Sequence, residues 1–233
     1  HQKSLEFIEA NQHQPFFLFL PLVMPHAELA VPEDETFQYY RTKFGEESPH
    51  TAPRGGDYGP EMVIPGYQSQ PYPRATFAAM VTRIDRYVGD ILAKLEALGL
   101  AENTLLVFTS DNGAHREGGA DPEFFDSNGP FRGYTRDLYE GGIHVPLLVS
   151  WPSKIPAGSH ATHVSAFWDW LPTFTALVGQ SNPPGLDGIS FLPTLLGTGT
   201  QKQADYLYWE FHESGGRQAI LQGEWKLVKY QVK

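Results

Sequence analysis

The chain has 233 residues, of which 41% are hydrophobic and 13% aromatic, so it has enough apolar side chain to bury a core and should be globular. Its formal net charge of −10 disfavours nucleic acid and anionic membrane surfaces as partners. The absence of cysteine excludes disulfides, thiolate zinc sites and a cysteine nucleophile within the chain.

The N-terminal part predicts a helix followed by a buried strand. Residues 3–10 have the pattern of an amphipathic helix, which Gln14 and Pro15 end. The apolar run at 16–20 predicts a fully buried strand, and His26 lies in the loop that follows it. In open α/β sheets, ligands bind at the carboxyl ends of strands. Because the chain begins with His1 rather than Met, we expect the start of the gene product to lie elsewhere.

The middle of the chain predicts a long loop, a long helix and a strand. Residues 41–73 are rich in proline and glycine, which predicts either a loop that shapes a substrate site or a surface excursion without a ligand. Apolar residues recur at three- and four-residue steps over 75–98, which predicts a helix ended by Gly99. A short apolar strand at 104–109 leads into a polar turn at 110–113.

Further alternation of elements predicts the fold class. A strand at 146–150 and a helix at about 168–178 continue the pattern, which favours a parallel or mixed sheet covered by helices. After Gly199, strands at 206–211 and within 218–230, joined by 213–216, predict a separate antiparallel unit. No run of apolar residues approaches the ~20 that a membrane helix needs.

The turn after the second strand carries two adjacent oxygen-bearing side chains. Asp111 and Asn112 follow a buried strand directly, an arrangement that suits a hard divalent cation such as calcium. Asp-Asn-Gly is also a common turn sequence without any ligand. From these residues alone, a metal site and a simple turn both remain open.

Three further motifs carry a family resemblance. They are Met24-Pro25-His26, the segment His115-Arg116-Glu117-Gly118-Gly119, and the segment from Arg132-Gly133 to Leu138-Tyr139-Glu140-Gly141-Gly142. In this order and spacing they resemble the sulfatase family of the alkaline-phosphatase-like superfamily. The resemblance implies an α/β fold with a mixed, mostly parallel sheet flanked by helices. Residues 1–199 would form the later part of the catalytic domain, and 200–233 the beginning of a small C-terminal antiparallel subdomain.

The resemblance also implies roles for the metal and for the reacting groups. Asp111 and Asn112 match ligands of Ca²⁺, and His26 matches a histidine that contacts the sulfate ester near its leaving oxygen. The nucleophile would be a formylglycine made from a C/S-x-P/A-x-R motif, which this chain lacks, so we expect it upstream. An Asp pair that supplies the rest of the calcium shell would also lie upstream.

Substrate contacts are implied at four further residues. Thr135 holds the position of a lysine that binds the sulfate in the family, and the adjacent Arg136 is a candidate to replace that lysine. His115 and Glu117 are candidates to hydrogen-bond a sugar ring, because a histidine and a carboxylate at a pocket rim can fix hydroxyl groups. The alternative for these two is a solvated loop.

The resemblance predicts a sulfuric ester hydrolase that acts on a sulfated carbohydrate or an aryl sulfate. Two alternatives remain: a catalytically inactive remnant or glycan-binding module with the same fold, and a phosphoryl hydrolase of the same superfamily. Neither nucleic acid nor a membrane is an expected partner, whereas self-association through open sheet edges is. The family tendency predicts a periplasmic or secreted location.

Overall fold

The computed structural model describes residues 1–52, 67–213 and 215–232, together with the backbone of 56–57 and 63–64. Its α-helices are α1 (Gln2–Ala10), α2 (Glu35–Phe44), α3 (Pro73–Ala97), α4 (Glu140–Ile143), α5 (Trp170–Leu177) and α6 (Leu192–Leu196). Its strands are β1 (Gly56–Asp57), β2 (Val63–Ile64), β3 (Leu106–Thr109), β4 (Leu147–Ser150), β5 (Leu207–Phe211), β6 (Arg217–Gln222) and β7 (Trp225–Tyr230).

The strands form small antiparallel sheets. β1 pairs with β2, β3 pairs with β4, and the last three strands form a sheet in the order β5-β6-β7. The strands predicted at 104–109 and 146–150 are confirmed as β3 and β4, with Leu106 opposite Ser150. Every strand pair in the described part of the chain is antiparallel, so the mostly parallel sheet stays a prediction.

The chain divides into two compact units. Unit 1 comprises His1–Ala101, Asp111–Thr135 and Glu140–Val145, and unit 2 comprises Glu102–Ser110, Arg136–Tyr139 and Pro146–Lys233. The chain therefore leaves unit 2 directly after β3 and enters unit 1 at Asp111. The predicted domain boundary near residue 199 stays a prediction.

Unit 1 is built around α3, which confirms the helix predicted at 75–98. Pro73 stands in its first turn, where a missing N–H breaks no helical hydrogen bond, and Gly99 follows its end with φ +68°. Ala75 and Ala79 on α3 pack with Phe37 of α2 in one core cluster. Met80, also on α3, packs with Leu29 and Ala120 in a second cluster.

Helix α2 was not predicted, and it overlaps the stretch predicted to be irregular. Asp34 caps its N-terminus, because one carboxylate oxygen accepts the N–H of Phe37 at 3.1 Å. Phe37 of this helix is buried, and Tyr40 and Phe44, three and seven positions further on, pack against the same core cluster. Of the remaining residues of the predicted loop, 53–55, 58–62 and 65–66 lie outside the described residues.

The prediction of a fully buried strand at 16–20 is wrong. The segment is not part of any strand within the described residues, and its side chains alternate between exposed and half-buried. Phe17 and Phe19 are 70% and 75% exposed. Phe16 instead contacts the ring of Phe7 on α1 at a centroid distance of 5.9 Å. One face of the segment therefore packs on the rest of unit 1, including α1, and no strand among the described residues covers its opposite face.

In unit 2, Asp169 organises the start of α5. Its carboxylate is buried and accepts the backbone N–H groups of Ala166 and Ile189, both at 2.7 Å. The predicted helix at 168–178 is confirmed as α5 with a 3-10 turn, Phe167–Asp169, before it. Thr173, also buried, donates to Asp169 O at 2.6 Å and accepts from Phe191 N at 3.0 Å.

The C-terminal antiparallel strands are confirmed. The predicted stretch 218–230 divides into β6 and β7, which turn at Gly223 with Gln222 opposite Trp225. Tyr230 on β7 donates to Asp137, and burial, with this hydrogen bond, raises the pKa of Tyr230 to about 12. Within the described residues, no helix combines the length and apolarity needed to cross a membrane.

Candidate active site

The loop after the extended segment fixes the ring of His26. The backbone N–H of His26 donates to Val23 O at 3.0 Å, which closes a turn. The ring Nδ1 lies 2.7 Å from Ala27 O. Because a carbonyl oxygen only accepts, Nδ1 carries hydrogen and donates. The side chain is 43% exposed, and Nε2 is the ring nitrogen that this contact leaves for another partner.

Glu117 faces His26 from the second motif. Its Oε2 lies 3.1 Å from His26 Nε2, and the Tyr67 hydroxyl donates to the same oxygen at 3.0 Å. A nitrogen and a carboxylate oxygen at this distance need one hydrogen between them. Because the Glu117 side chain is only 19% exposed, solvent screens this contact less than it would a surface ion pair. His26 and Glu117 therefore share one proton.

His115 lies behind His26 and is buried. Its Nε2 donates to Pro25 O at 3.2 Å, and its Nδ1 accepts the backbone N–H of Glu117 at 3.2 Å. These two partners fix His115 as a neutral imidazole with hydrogen on Nε2. Its ring stacks on His26 at a centroid distance of 4.9 Å and an angle of 23°. We call His26, His115, Glu117 and Tyr67 the histidine cluster.

Two glycines allow the second motif to pack closely against neighbouring segments, of which the His26 loop is one. A Cβ on Gly118 would lie 2.7 Å from the Cβ of Ala27, and one on Gly119 would lie 2.6 Å from the Cβ of His50. Both glycines also have positive φ, +61° and +91°. A larger residue at Gly118 would push the segment away from the His26 loop, and one at Gly119 would push it away from His50.

The Asp111–Asn112 turn forms a second group of predicted residues. Asn112 donates to Oδ1 of Asp111, and its own Oδ1 accepts the Thr135 hydroxyl at 3.1 Å. The Thr135 hydroxyl also lies 2.5 Å from Gly113 O, and its backbone N–H donates to Ala114 O at 2.8 Å. Thr135 is therefore a structural partner of the turn.

The turn fits part of a calcium site. Asp111 is exposed, and the two side chains offer carboxylate and amide oxygens, which are the ligands that calcium prefers. They supply about three oxygens at most, whereas calcium takes six to eight. Within the described part of the chain, no group of three or more His, Asp or Glu is arranged to hold a metal ion. The remaining ligands would have to come from elsewhere.

The turn and the histidine cluster lie on one short segment of unit 1. Asn112 and His115 are three residues apart, so their Cα atoms are separated by at most about 11 Å. The chain therefore brings His26, through its stacking on His115, into the neighbourhood of the turn.

Arg136 is grouped with unit 2 rather than with these residues. Its guanidinium Nε lies 3.7 Å from Glu213, and its carbonyl oxygen accepts from Arg217. Substrate binding by Arg136, His115, Glu117 and Thr135 stays a prediction. Tyr67 was missed by the sequence analysis, since nothing in its proline-rich surroundings points to a carboxylate 50 positions along the chain.

Two family models match the chain. The model described as Sulfatase matches residues 1–180, and the model described as N-sulphoglucosamine sulphohydrolase, C-terminal, matches residues 131–233. The steryl-sulfatase of Rattus norvegicus is 34% identical over 207 residues, covering 87% of this chain and 30% of the relative. The N-acetylgalactosamine-6-sulfatase of Canis lupus familiaris is 37% identical over 204 residues, covering 84% and 32%. The chain thus spans about a third of the length of these relatives.

Solved structures resemble the chain over two thirds of its length or more. Ps i-CgsB, in complex with k-i-k-neocarrahexaose, has a TM-score of 0.74 at 27% identity, covering 98% of this chain and 44% of that one. A structure in complex with its substrate D-glucosamine-2-N,6-O-disulfate has a TM-score of 0.56 at 26% identity, covering 68% and 32%.

Proposed function

Because this chain belongs to the sulfatase family, we propose that the protein hydrolyses sulfuric esters. The proposed substrate is a sulfated carbohydrate or an aryl sulfate. The carbohydrate is supported by the glycan ligands of two structural neighbours and by the N-acetylgalactosamine-6-sulfatase relative. The observation that carries the proposal is that His26 pairs with Glu117, which lies on the same short segment as Asp111 and Asn112.

His26 is the proposed proton donor to the leaving oxygen. Its side chain is 43% exposed, its Nε2 holds a proton shared with Glu117, and its Nδ1 is fixed by Ala27 O. A proton delivered to the leaving oxygen stabilises the charge that develops as the ester bond breaks. The nucleophile is proposed to be a formylglycine upstream of this chain, which supplies the hydroxyl that attacks sulfur.

Asp111 and Asn112 are proposed to hold part of a Ca²⁺ site. The ion, when bound, neutralises negative charge on the sulfate oxygens. Thr135 holds Asn112 through its hydroxyl, and we propose that this contact orients the amide oxygen toward the ion and that Thr135 also lies near the sulfate. Arg136, His115 and Glu117 are the other proposed substrate contacts.

The remaining proposals concern the fold and the setting of the protein. We propose that a mostly parallel sheet forms the centre of the complete catalytic domain, and that the protein is periplasmic or secreted. Neither nucleic acid nor a membrane is a proposed partner. Among the described strands β4 pairs with β3 alone, so its other edge is open, and Leu147 and Leu148 on this strand are exposed. Both features support self-association through an open sheet edge.

Sulfate release by the full-length protein tests the proposal. Inorganic sulfate is measured by ion chromatography after incubation with sulfated glycosaminoglycan oligosaccharides and with 4-nitrophenyl sulfate. Asp111→Ala should abolish both turnover and calcium retention, and His26→Ala should lower turnover by about 10²- to 10⁴-fold. Asp85→Ala, which removes an exposed carboxylate from α3, is the matched control and should change neither.

Other outcomes identify the alternatives. Release of phosphate from 4-nitrophenyl phosphate at a higher rate than sulfate would indicate a phosphoryl hydrolase. Binding of a sulfated glycan without any turnover would indicate an inactive binding module, an alternative that the neutral Thr135 favours because it offers the sulfate no fixed charge. Unchanged turnover in Asp111→Ala would remove Asp111 from the site.

A further inference from the structure

The histidine cluster assigns Glu117 a task within the proposed reaction. We propose that Glu117 is a positioning residue that places a proton on His26 Nε2, from which that proton passes to the leaving oxygen of the ester. This inference rests on the proposed function. It differs from the predicted role of Glu117 as a sugar contact, because here the carboxylate acts through His26.

The first support is the fixed state of the His26 ring. Ala27 O, a pure acceptor, keeps hydrogen on Nδ1 at 2.7 Å. Without a further partner, a neutral ring in this state would have no hydrogen on Nε2 and could not act as an acid there. Oε2 of Glu117, 3.1 Å from Nε2, provides the partner that a second ring hydrogen requires.

The second support is that Glu117 is itself held in place. The Tyr67 hydroxyl donates to Oε2 at 3.0 Å, and the Glu117 backbone N–H is bound to Nδ1 of His115. Both ends of the residue are therefore tied to the cluster that encloses His26. The Tyr67 ring also meets the His26 ring edge-on at 5.9 Å.

The third support is the charge around His26. Among the described residues, the contacts recorded for its ring are with the Glu117 carboxylate, the Tyr67 ring and the His115 ring, and His115 is held neutral by Pro25 O and Glu117 N. The neighbouring cation, Arg116, directs its guanidinium to Glu123 instead. Glu117 thus supplies a carboxylate that favours a proton on Nε2.

The proposed step transfers one proton. As the sulfur–oxygen bond to the leaving group breaks, its electron pair stays on the leaving oxygen. The single hydrogen on Nε2 leaves its hydrogen bond to Glu117 Oε2, its bond to Nε2 breaks as a bond to the leaving oxygen forms, and His26 is left neutral with hydrogen on Nδ1. A proton from water then returns to Nε2 beside Glu117, which restores the pair.

Ring NMR tests the pairing without any substrate. In full-length protein labelled with ¹⁵N-histidine, the ring signals of His26 should show hydrogen on both Nδ1 and Nε2, as its contacts with Ala27 O and Glu117 require. Glu117→Gln should leave hydrogen on Nδ1 and remove it from Nε2, because a neutral amide does not favour a second ring proton. Glu123→Gln, which removes a nearby carboxylate bonded to Arg116, is the matched control and should leave the His26 signals unchanged.

Sulfate esters whose leaving groups differ in basicity test whether this proton assists departure of the leaving oxygen. Phenyl sulfate needs a proton on its departing oxygen more than 4-nitrophenyl sulfate does, because phenoxide is the stronger base. Glu117→Gln should lower kcat for phenyl sulfate by roughly 10- to 100-fold, which is part of the 10²- to 10⁴-fold that a positioned general acid contributes. The loss with 4-nitrophenyl sulfate should be below about threefold, with little change in KM.

The outcomes separate this inference from the proposed function. Unchanged His26 ring signals in Glu117→Gln overturn the inference, as does an equal loss of kcat on both esters. A raised KM with unchanged ring signals assigns Glu117 to the substrate instead and also overturns it. If the His26 ring signals change in Glu117→Gln as expected but the wild-type protein releases sulfate from no ester or glycan, the proposed function is overturned, and the proton transfer with it.

Discussion

Replacement of Gly113 by alanine should destabilise unit 1 through a single backbone clash. A Cβ at this position would lie 1.9 Å from Gly141 O and 2.8 Å from Gly141 C, both of which are backbone atoms. Relief of this overlap requires a shift of about 1 Å between the Asp111–Asn112 turn and α4, since overpacked atoms move apart until they reach ordinary contact. Such a shift would also break the hydrogen bond from Gly113 N to Gly142 O, which is 2.9 Å long.

The cost can be worked from these two contacts. Overpacking costs about 1–3 kcal/mol and a lost hydrogen bond about 1 kcal/mol, so the free energy of unfolding should fall by about 2–4 kcal/mol. With a urea dependence of about 2 kcal/mol per molar, the unfolding midpoint should drop by about 1–2 M. Urea titration followed by circular dichroism measures it.

The control for this substitution is Gly89→Ala. Gly89 lies inside α3, and a Cβ added there would have nothing within 4 Å, so alanine should stabilise the helix through its higher propensity, by up to about 1 kcal/mol, and raise the midpoint. The opposite signs of the two glycine substitutions are the expected result. A Gly113→Ala midpoint within about 0.3 M of the wild type would refute the reasoning, because the clash would then cost well under 1 kcal/mol.

Two further predictions concern the cap of α2 and the partner of the turn. The hydrogen bond from the Phe37 N–H, together with the nearby Arg83, lowers the pKa of the Asp34 carboxyl in the folded protein. The stabilisation that Asp34 contributes is therefore present above about pH 4, the ordinary pKa of Asp, and is lost as the pH falls through the lower pKa of the folded state. Asp34→Asn should therefore flatten the acid side of the stability profile, and urea midpoints at about pH 5 and pH 3 that fall equally in both proteins would contradict this. Thr135→Val should lower the free energy of unfolding by about 1–2 kcal/mol and Tm by about 2–8 °C, because the hydroxyl bound to Gly113 O and Asn112 Oδ1 is lost. Thr135→Ser keeps the hydroxyl and should change Tm far less in a thermal melt, and equal Tm values for the two variants would exclude the hydroxyl as the cause.

The elements predicted correctly are those whose stability depends on local pattern. Helix α3 has nine apolar positions at helical spacing and Gly99 after its end, and it begins within two residues of the predicted start. Helix α2 was missed because its packing rests on three aromatic residues, Phe37, Tyr40 and Phe44, in an otherwise polar stretch whose end overlaps the proline-rich segment. The error at 16–20 has another cause, because a run of apolar residues does not specify which strand will cover it.

The candidate site was predictable in its residue types and not in its contacts. The motifs around His26 and Glu117 were identified from the sequence, but the 3.1 Å contact between them depends on how two distant loops meet. Tyr67 lies outside every motif, and its bond to Glu117 follows from the same meeting of loops. Pairings of this kind are set by tertiary packing, which single residues and their spacing do not encode.

The segment from Asp111 to Glu117 has a fixed length, and that length matters more than its composition. Its first two residues belong to the oxygen-rich turn and its last one contacts His26, so their separation is set by the number of peptide units between them. One residue added or removed between Gly113 and His115 would rotate the carboxylate out of reach while leaving every side chain present. Homologous proteins that retain both the oxygen-rich turn and the contact with His26 should therefore tolerate substitutions inside this stretch far better than insertions or deletions.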